Sequence, residues 1–260
     1  MDSNKIKGLL FDLDGVLYTG EQAIDGAIEL INKVHANNIA CRFITNTSTQ
    51  SIKTLEQKLQ RLGFAIPAHE IISAPQAALL YLSKLKKPVC RLLLAEDVKR
   101  DFLLLDQSDA NPDFIVIGDI GDAWSYDLLN ELFLNVMQGA KLIAIHKNRF
   151  WQTEQGLQMD IGGFITALEY ASNSHAMIIG KPSPEFFKVA LADMGLPAHE
   201  VAMIGDDIDV DVGGGQNVGL KGILVRTGKY REEYAKQSSI KPDFILNSIH
   251  DLPQVVPLRS

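Results

Sequence analysis

Apolar positions in this chain fall into short runs, separated by longer stretches in which they recur every three or four residues. "KGLLF" predicts a buried strand, "AIDGAIELINKVHANN" an amphipathic helix and "CRFIT" a second strand. "SIKTLEQKLQRLG" predicts a helix with Leu55, Leu59 and Leu62 on one face and Gly63 as its stop signal. The last third repeats the alternation: "AMIIG", "VAMIG" and "KGILV" read as strands, "SPEFFKVALADMG" and "DVGGGQNVG" as helices, and "PDFIL" as a final short strand. Strands rich in apolar residues, alternating with helices, imply a parallel sheet covered on both faces. The middle third carries its own strands, "CRLLLA", "DFIVIG" and "KLIAIH", and helical patterns such as "SYDLLNELFLNVMQG". The expected organisation is one α/β unit over residues 1–79 and 177–260, interrupted by a smaller α/β unit over 80–176. No stretch rich in Pro, Gly or Ser marks the joins.

In an open parallel sheet, ligands sit beyond the carboxyl ends of the strands. The residues just past each strand are therefore the informative ones. Asp12 and Asp14 come after the first strand, one residue apart, so on extended chain they point to the same side. Thr45, Asn46, Thr47 and Ser48 come after "CRFI", Lys181 after "AMIIG", and Asp206, Asp207, Asp209 and Asp211 after "VAMIG". Carboxylates from two strand ends form a hard-oxygen cluster suited to Mg2+. A bound cation relieves their mutual repulsion, while a lysine and hydroxyl or amide donors before a helix suit a phosphate group. Metal, phosphate and a carboxylate nucleophile together point to phosphoryl transfer through an aspartyl-phosphate.

Each piece has a plainer reading: "TNTS" as a helix N-cap, Ser183–Pro184 as a helix start, "GDDIDVD" as a solvated turn. Two sharper alternatives fail on spacing. An EF-hand begun at Asp207 puts Val212 where glycine is required and Val218 where the bidentate glutamate belongs. Gly213 and Gly215 do not open a dinucleotide fingerprint, because Val218 fills its third glycine position.

Composition narrows the partners. Over 260 residues the chain is 46% hydrophobic and 22% charged, ordinary for a soluble globular protein. A net charge of −7 argues against nucleic acid and against an anionic membrane surface. No apolar run approaches the length of a membrane span, and "MDSNKIKG" lacks the apolar core of a signal peptide. Cys41 and Cys90 lie in apolar runs without metal-ligand spacing and read as reduced core thiols, which fits a cytoplasmic protein. Exposed strands of the inserted unit can pair with a second copy, so the partners to expect are a small phosphorylated substrate and, at most, a homodimer mate.

Taken in order, "DLDGVLY", "ITN", "GKPSPEFF" and "GDDIDVDVGGGQNVGLKGILVRTGKYR" resemble the four motifs of the haloacid dehalogenase (HAD) superfamily of phosphohydrolases, and the resemblance covers nearly the whole chain. It implies a Rossmann-like HAD core with a parallel sheet and helices on both faces, plus an inserted α/β cap of the C2 type. It also implies a Mg2+-dependent phosphatase. Asp12 would be nucleophile and metal ligand. Asp14 would be the general acid–base and would bind the metal through its main-chain carbonyl. Thr45 and the main-chain N–H of Asn46 would hold the phosphoryl oxygens. Lys181 would neutralise Asp12 and the phosphate, and Asp206 would complete the metal ligands, with Asp207 and Asp211 as outer or water-mediated partners. Some relatives carry serine in place of the second aspartate; this chain keeps Asp14.

The nearest rival within the family is cleavage of P–N or P–O–P bonds, as in phospholysine, phosphohistidine or pyrophosphate. A dehalogenase needs no metal cluster and no acid two residues past its nucleophile. A non-catalytic binding protein on the same fold is the reading from another class. Against it stands the completeness of the set Asp12, Asp14, Thr45, Lys181 and Asp206. Residues His146, Lys147, Arg149, Phe150 and Trp151 read either as a pocket roof or as an ordinary strand-end loop.

Overall fold

The computed structural model describes residues 6–153 and 156–257. The chain begins with β1 (Gly8–Asp12), α1 (Ala27–Ala36), β2 (Ala40–Thr45), α2 (Ile52–Arg61), β3 (Ile71–Ser73) and α3 (Ala74–Ser83). It continues through β4 (Val89–Leu93), β5 (Asp106–Gln107), β6 (Phe114–Ile117), α4 (Tyr126–Met137) and β7 (Lys141–Ala144). Next come β8 (Phe150–Thr153), β9 (Gly156–Met159), α5 (Gly162–Ser172), β10 (Met177–Ile178) and α6 (Pro184–Met194). The last strands are β11 (Val201–Gly205), β12 (Lys221–Val225) and β13 (Phe244–Leu246).

Two compact units result. The first comprises residues 1–45, 53–72 and 181–260, and the second 46–52 and 73–180. The joins therefore fall at 73 and 180, where the sequence suggests 80 and 176. The physical reason is α3: Ala74, Ala77, Ala78 and Leu82 are buried, and the helix packs against the Arg100–Phe102 turn of the second unit. Main-chain N–H groups of Ser51 and Ile52 likewise donate to Asp97 (2.8 Å) and Asp101 (2.9 Å), which ties 46–52 to that unit.

The first unit is a six-stranded sheet in the order β13-β12-β11-β1-β2-β3, parallel from β13 through β2. Every residue of β1 and β11 is buried, as their unbroken apolar runs require of strands covered on both faces. Phe11 stacks on Phe43 across the β1–β2 pair, with ring centroids 5.4 Å apart. From β1 the chain winds one way to β2 and β3, and from β11 the other way to β12 and β13. The topological switch point thus lies between β1 and β11, and its crevice opens at their carboxyl ends.

The second unit is a five-stranded parallel sheet, β10-β7-β6-β4-β5, with the antiparallel hairpin β8–β9 beside it. Among the described residues no helix is long and apolar enough to cross a membrane. Cys41 and Cys90 are both buried and free, and burial pushes their thiols up to about 12 and about 11.

Two elements differ from their sequence reading. The first helix starts at Ala27 rather than Ala23, because Gln22–Ala23 pairs with Tyr18–Thr19 and Gly26 turns the chain at φ 76°. The stretch from Ile208 begins as a π-helical turn over Ile208–Gly213, and only Gly214–Gln216 is α-helical.

Candidate active site

Register places the candidate residues at the switch point. Phe11 pairs with Ile204 and Asp12 with Ile44, so Asp12, Thr45 and Asp206 emerge at the same end of three adjacent strands. Carboxylate oxygens of Asp12, Asp206 and Asp211 lie within 4.8 Å of one another, and all three residues are buried. Lys181 is set into this trio. Its ammonium donates to Asp12 Oδ1 and to Asp211 Oδ1, 2.7 Å each, with its side chain 3% exposed.

Asp206 is held from two loops. The main-chain N–H of Lys229 donates to its Oδ2 at 2.6 Å. Gly15 and Gly228, both at positive φ, press against that same oxygen; a Cβ on either would come within 2.0 Å of it. Thr227 locks the two loops by donating its hydroxyl to the Gly15 carbonyl at 2.5 Å. The other oxygen, Oδ1, is buried without a hydrogen-bond partner among the described residues.

Asp211 is more central than its sequence reading as an outer partner. Its Oδ1 takes Lys181, and its Oδ2 accepts the main-chain N–H of Asp207 at 3.2 Å. The wider π turn brings it back beneath β11, where Gly205 leaves the room: a Cβ there would sit 2.2 Å from the Asp211 Cβ. Asp207 instead caps the turn, accepting from the N–H groups of Asp209 and Val210 at 3.0 Å each. Asp209 accepts the Tyr234 hydroxyl.

Asp14 lies just past the end of the strand that carries Asp12. The strand ends at Asp12, the chain bends at Leu13, and Asp14 is exposed; its carboxylate is not one of the buried trio. Thr45 is buried at the end of β2. Asn46, the next residue, groups with the second unit and packs beside Gly180. Also in the second unit, His146 is buried with its Nδ1 3.8 Å from Asp160 Oδ2, Lys147 pairs with Glu169, and Arg149 and Phe150 are exposed. The Trp151 side chain lies outside the described residues. Gly15, Gly228 and Lys229 escape the sequence reading because they act through their main chain.

Charge is unbalanced here. Burial raises the Asp12 pKa, with Lys181 pulling against it and Asp206 adding to the rise. Burial likewise pushes Asp206 and Asp211 up to about 6 each. Burial disfavours the charge on Lys181, but Asp12 and Asp211 outweigh it and hold the ammonium above the usual lysine value. In the unfolded chain these carboxyls titrate near ~4. Without a metal, their contribution therefore favours the fold below that pH and is lost as pH rises through about 6. One ammonium among three carboxylates leaves a surplus of negative charge, and Asp206 Oδ1 is a buried hard donor atom without a hydrogen-bond partner among the described residues. Both features fit a divalent cation with oxygen ligands.

Residues 9–105 match the family described as haloacid dehalogenase-like hydrolase, and residues 178–252 match that described as HAD-hydrolase-like. Over 251 residues the chain is 38% identical to the Bos taurus phospholysine phosphohistidine inorganic pyrophosphate phosphatase, covering 94% of this chain and 92% of that one. The chain belongs to the HAD hydrolase family. This HAD phosphatase is also 40% identical over 238 residues to Bos taurus haloacid dehalogenase-like hydrolase domain-containing protein 2, covering 91% and 90% of the two chains. Among solved structures it superposes on a 4-nitrophenylphosphatase from Thermotoga maritima with a TM-score of 0.85, at 26% identity and 98% coverage of both chains.

Proposed function

We propose that this HAD phosphatase is Mg2+-dependent and hydrolyses small phosphorylated compounds in the cytosol through an aspartyl-phosphate on Asp12. The observation that carries the proposal is the buried carboxylate trio with a single lysine set into it. Asp12, Asp206 and the main-chain carbonyl of Asp14 would hold the ion, which when bound supplies positive charge to offset the phosphoryl oxygens.

The chain's own residues do the rest. Asp12 attacks phosphorus, and the bond from phosphorus to the leaving group breaks. Lys181, pinned between Asp12 and Asp211, offsets charge on the transferring group and costs no reorganisation to do so. The Thr45 hydroxyl and the Asn46 main-chain N–H orient the phosphoryl oxygens. Asp14, exposed and able to exchange protons with solvent, protonates the leaving group. It then takes a proton from the water that attacks the aspartyl-phosphate, which frees phosphate and restores Asp12. Cleavage of P–N or P–O–P bonds is the second reading, supported by the name of the 38%-identical relative. Homodimer formation would use the β8–β9 hairpin, whose cross-strand pair Phe150 and Met159 is exposed.

Release of phosphate from 4-nitrophenyl phosphate, pyrophosphate and a phosphoramidate should vanish in EDTA and return with Mg2+. Half-maximal rate should need progressively more Mg2+ as pH falls through about 6, since protons then compete with the ion for Asp206. Asp206→Asn should raise that requirement further. Full activity in excess chelator defeats the metal assignment.

A further inference from the structure

A second cluster of metal-ligating side chains lies in the first unit, away from the carboxylate trio. His35 stands in the last turn of α1, Cys41 on β2, and Glu70 just ahead of β3. One donor atom from each lies within 4.8 Å of the others. His35 Nε2 is already 2.9 Å from Glu70 Oε2. The imidazole is positioned by Phe43, whose ring meets it edge-on at 6.2 Å. In register Cys41 pairs with Leu9, whereas Asp12 pairs with Ile44. The cluster therefore sits about 10 Å down the strands from the catalytic end, at ~3.3 Å per residue.

We propose that His35, Cys41 and Glu70 form a binding site for a divalent transition-metal ion of the zinc type. The donor set decides the class: a thiol, an imidazole and a carboxylate suit zinc or cobalt, while Mg2+ avoids sulfur. Tetrahedral zinc with bonds of ~2.0–2.3 Å needs ligand atoms roughly 3.3–3.8 Å apart, so small side-chain movements bring these three into range. Charge closes as well. On binding, the Cys41 thiol gives up its proton to solvent, and thiolate plus the Glu70 carboxylate cancel the dication. The side chains of His35 and Glu70 are 28% and 17% exposed, which leaves an entry path and a fourth position for water. The carbonyl end of α1 also favours a cation at this point. Bound there, the ion would clip together the end of α1, β2 and the turn before β3.

Cobalt(II) titration of the full chain in excess Mg2+ tests the site. One equivalent should produce a near-ultraviolet thiolate-to-cobalt absorption band, release one proton, and be displaced by Zn2+. Cys41→Ser should abolish the band, and His35→Gln and Glu70→Gln should each weaken binding at least about tenfold. Asp206→Asn should leave the band intact, and Glu70→Gln should keep full Mg2+-supported phosphatase activity. The site is refuted if wild-type protein shows no thiolate band, if the band survives Cys41→Ser, or if Asp206→Asn removes it. Should Cys41→Ser not fold, an unchanged cobalt affinity in Glu70→Gln and His35→Gln refutes it equally.

Discussion

Asp12→Asn should yield a folded protein with at least about 10⁴-fold less turnover, the scale on which nucleophile deletions fall. The reason lies in how the three buried carboxylates differ. Asp211 has one oxygen on Lys181 and the other on the Asp207 N–H, and Asp206 is wedged between Gly15 and Gly228. Asp12 is the most accessible of the three at 6% exposure, against 2% for Asp206 and 1% for Asp211. It also ends a central strand at the switch point, where a ligand can reach it. Asparagine keeps its shape but cannot form an acyl phosphate. Lys181 keeps Asp211 as a partner, so the fold should survive; circular dichroism and a melting curve check this. Turnover within tenfold of wild type would remove Asp12 from the reaction.

Lys181→Met should lower kcat on the order of 10²-fold or more, as expected when a charge placed for the transition state is lost. Methionine fills most of the same space without the charge. Asp12 and Asp211 would then face each other with no cation between them, and each would hold its proton to higher pH. Two effects therefore combine: less stabilisation of the phosphoryl oxygens, and a smaller fraction of Asp12 in its nucleophilic form. Loss of a buried ion-pair partner typically costs ~3–5 kcal/mol, so the melting temperature in chelator should fall as well. Steady-state rates on folded protein decide the matter. Near wild-type kcat would reduce Lys181 to a structural ion pair.

The strands that carry the site are legible because strands buried on both faces must be apolar throughout. "GLLF" and "VAMIG" admit little else, and the polar residue after each is conspicuous for that reason. Asp12, Thr45, Lys181 and Asp206 all stand out as the first polar residues past a strand. Asp211 is undervalued when an α-helical turn is assumed after "GDD", because the π turn changes which side chain returns to the strand end. Asp14 is legible from its spacing to Asp12, but the bend at Leu13 that ends the strand between them is not. Gly15, Gly228 and the N–H of Lys229 leave no chemical signature, since a cradle made of main chain and missing Cβ atoms has no functional side chain to notice. The unit joins are blurred for a related reason: α3 is a buried, Ala-rich helix that continues straight from β3 with no polar linker.

The central claim is that phosphate passes through Asp12 with Asp14 carrying the protons, and trapping the intermediate tests it most directly. Asp14→Asn should retain the nucleophile and lose the proton carrier. An activated aryl phosphate, whose leaving group departs as an anion, should still phosphorylate the enzyme, while hydrolysis of the acyl phosphate stalls. Mass spectrometry of Asp14→Asn protein quenched after mixing with 4-nitrophenyl phosphate and Mg2+ should show one phosphate per chain, on the peptide containing Asp12. Phosphate on any other residue, or no phosphoenzyme from a variant that still turns over alkyl phosphates at the wild-type rate, would contradict it.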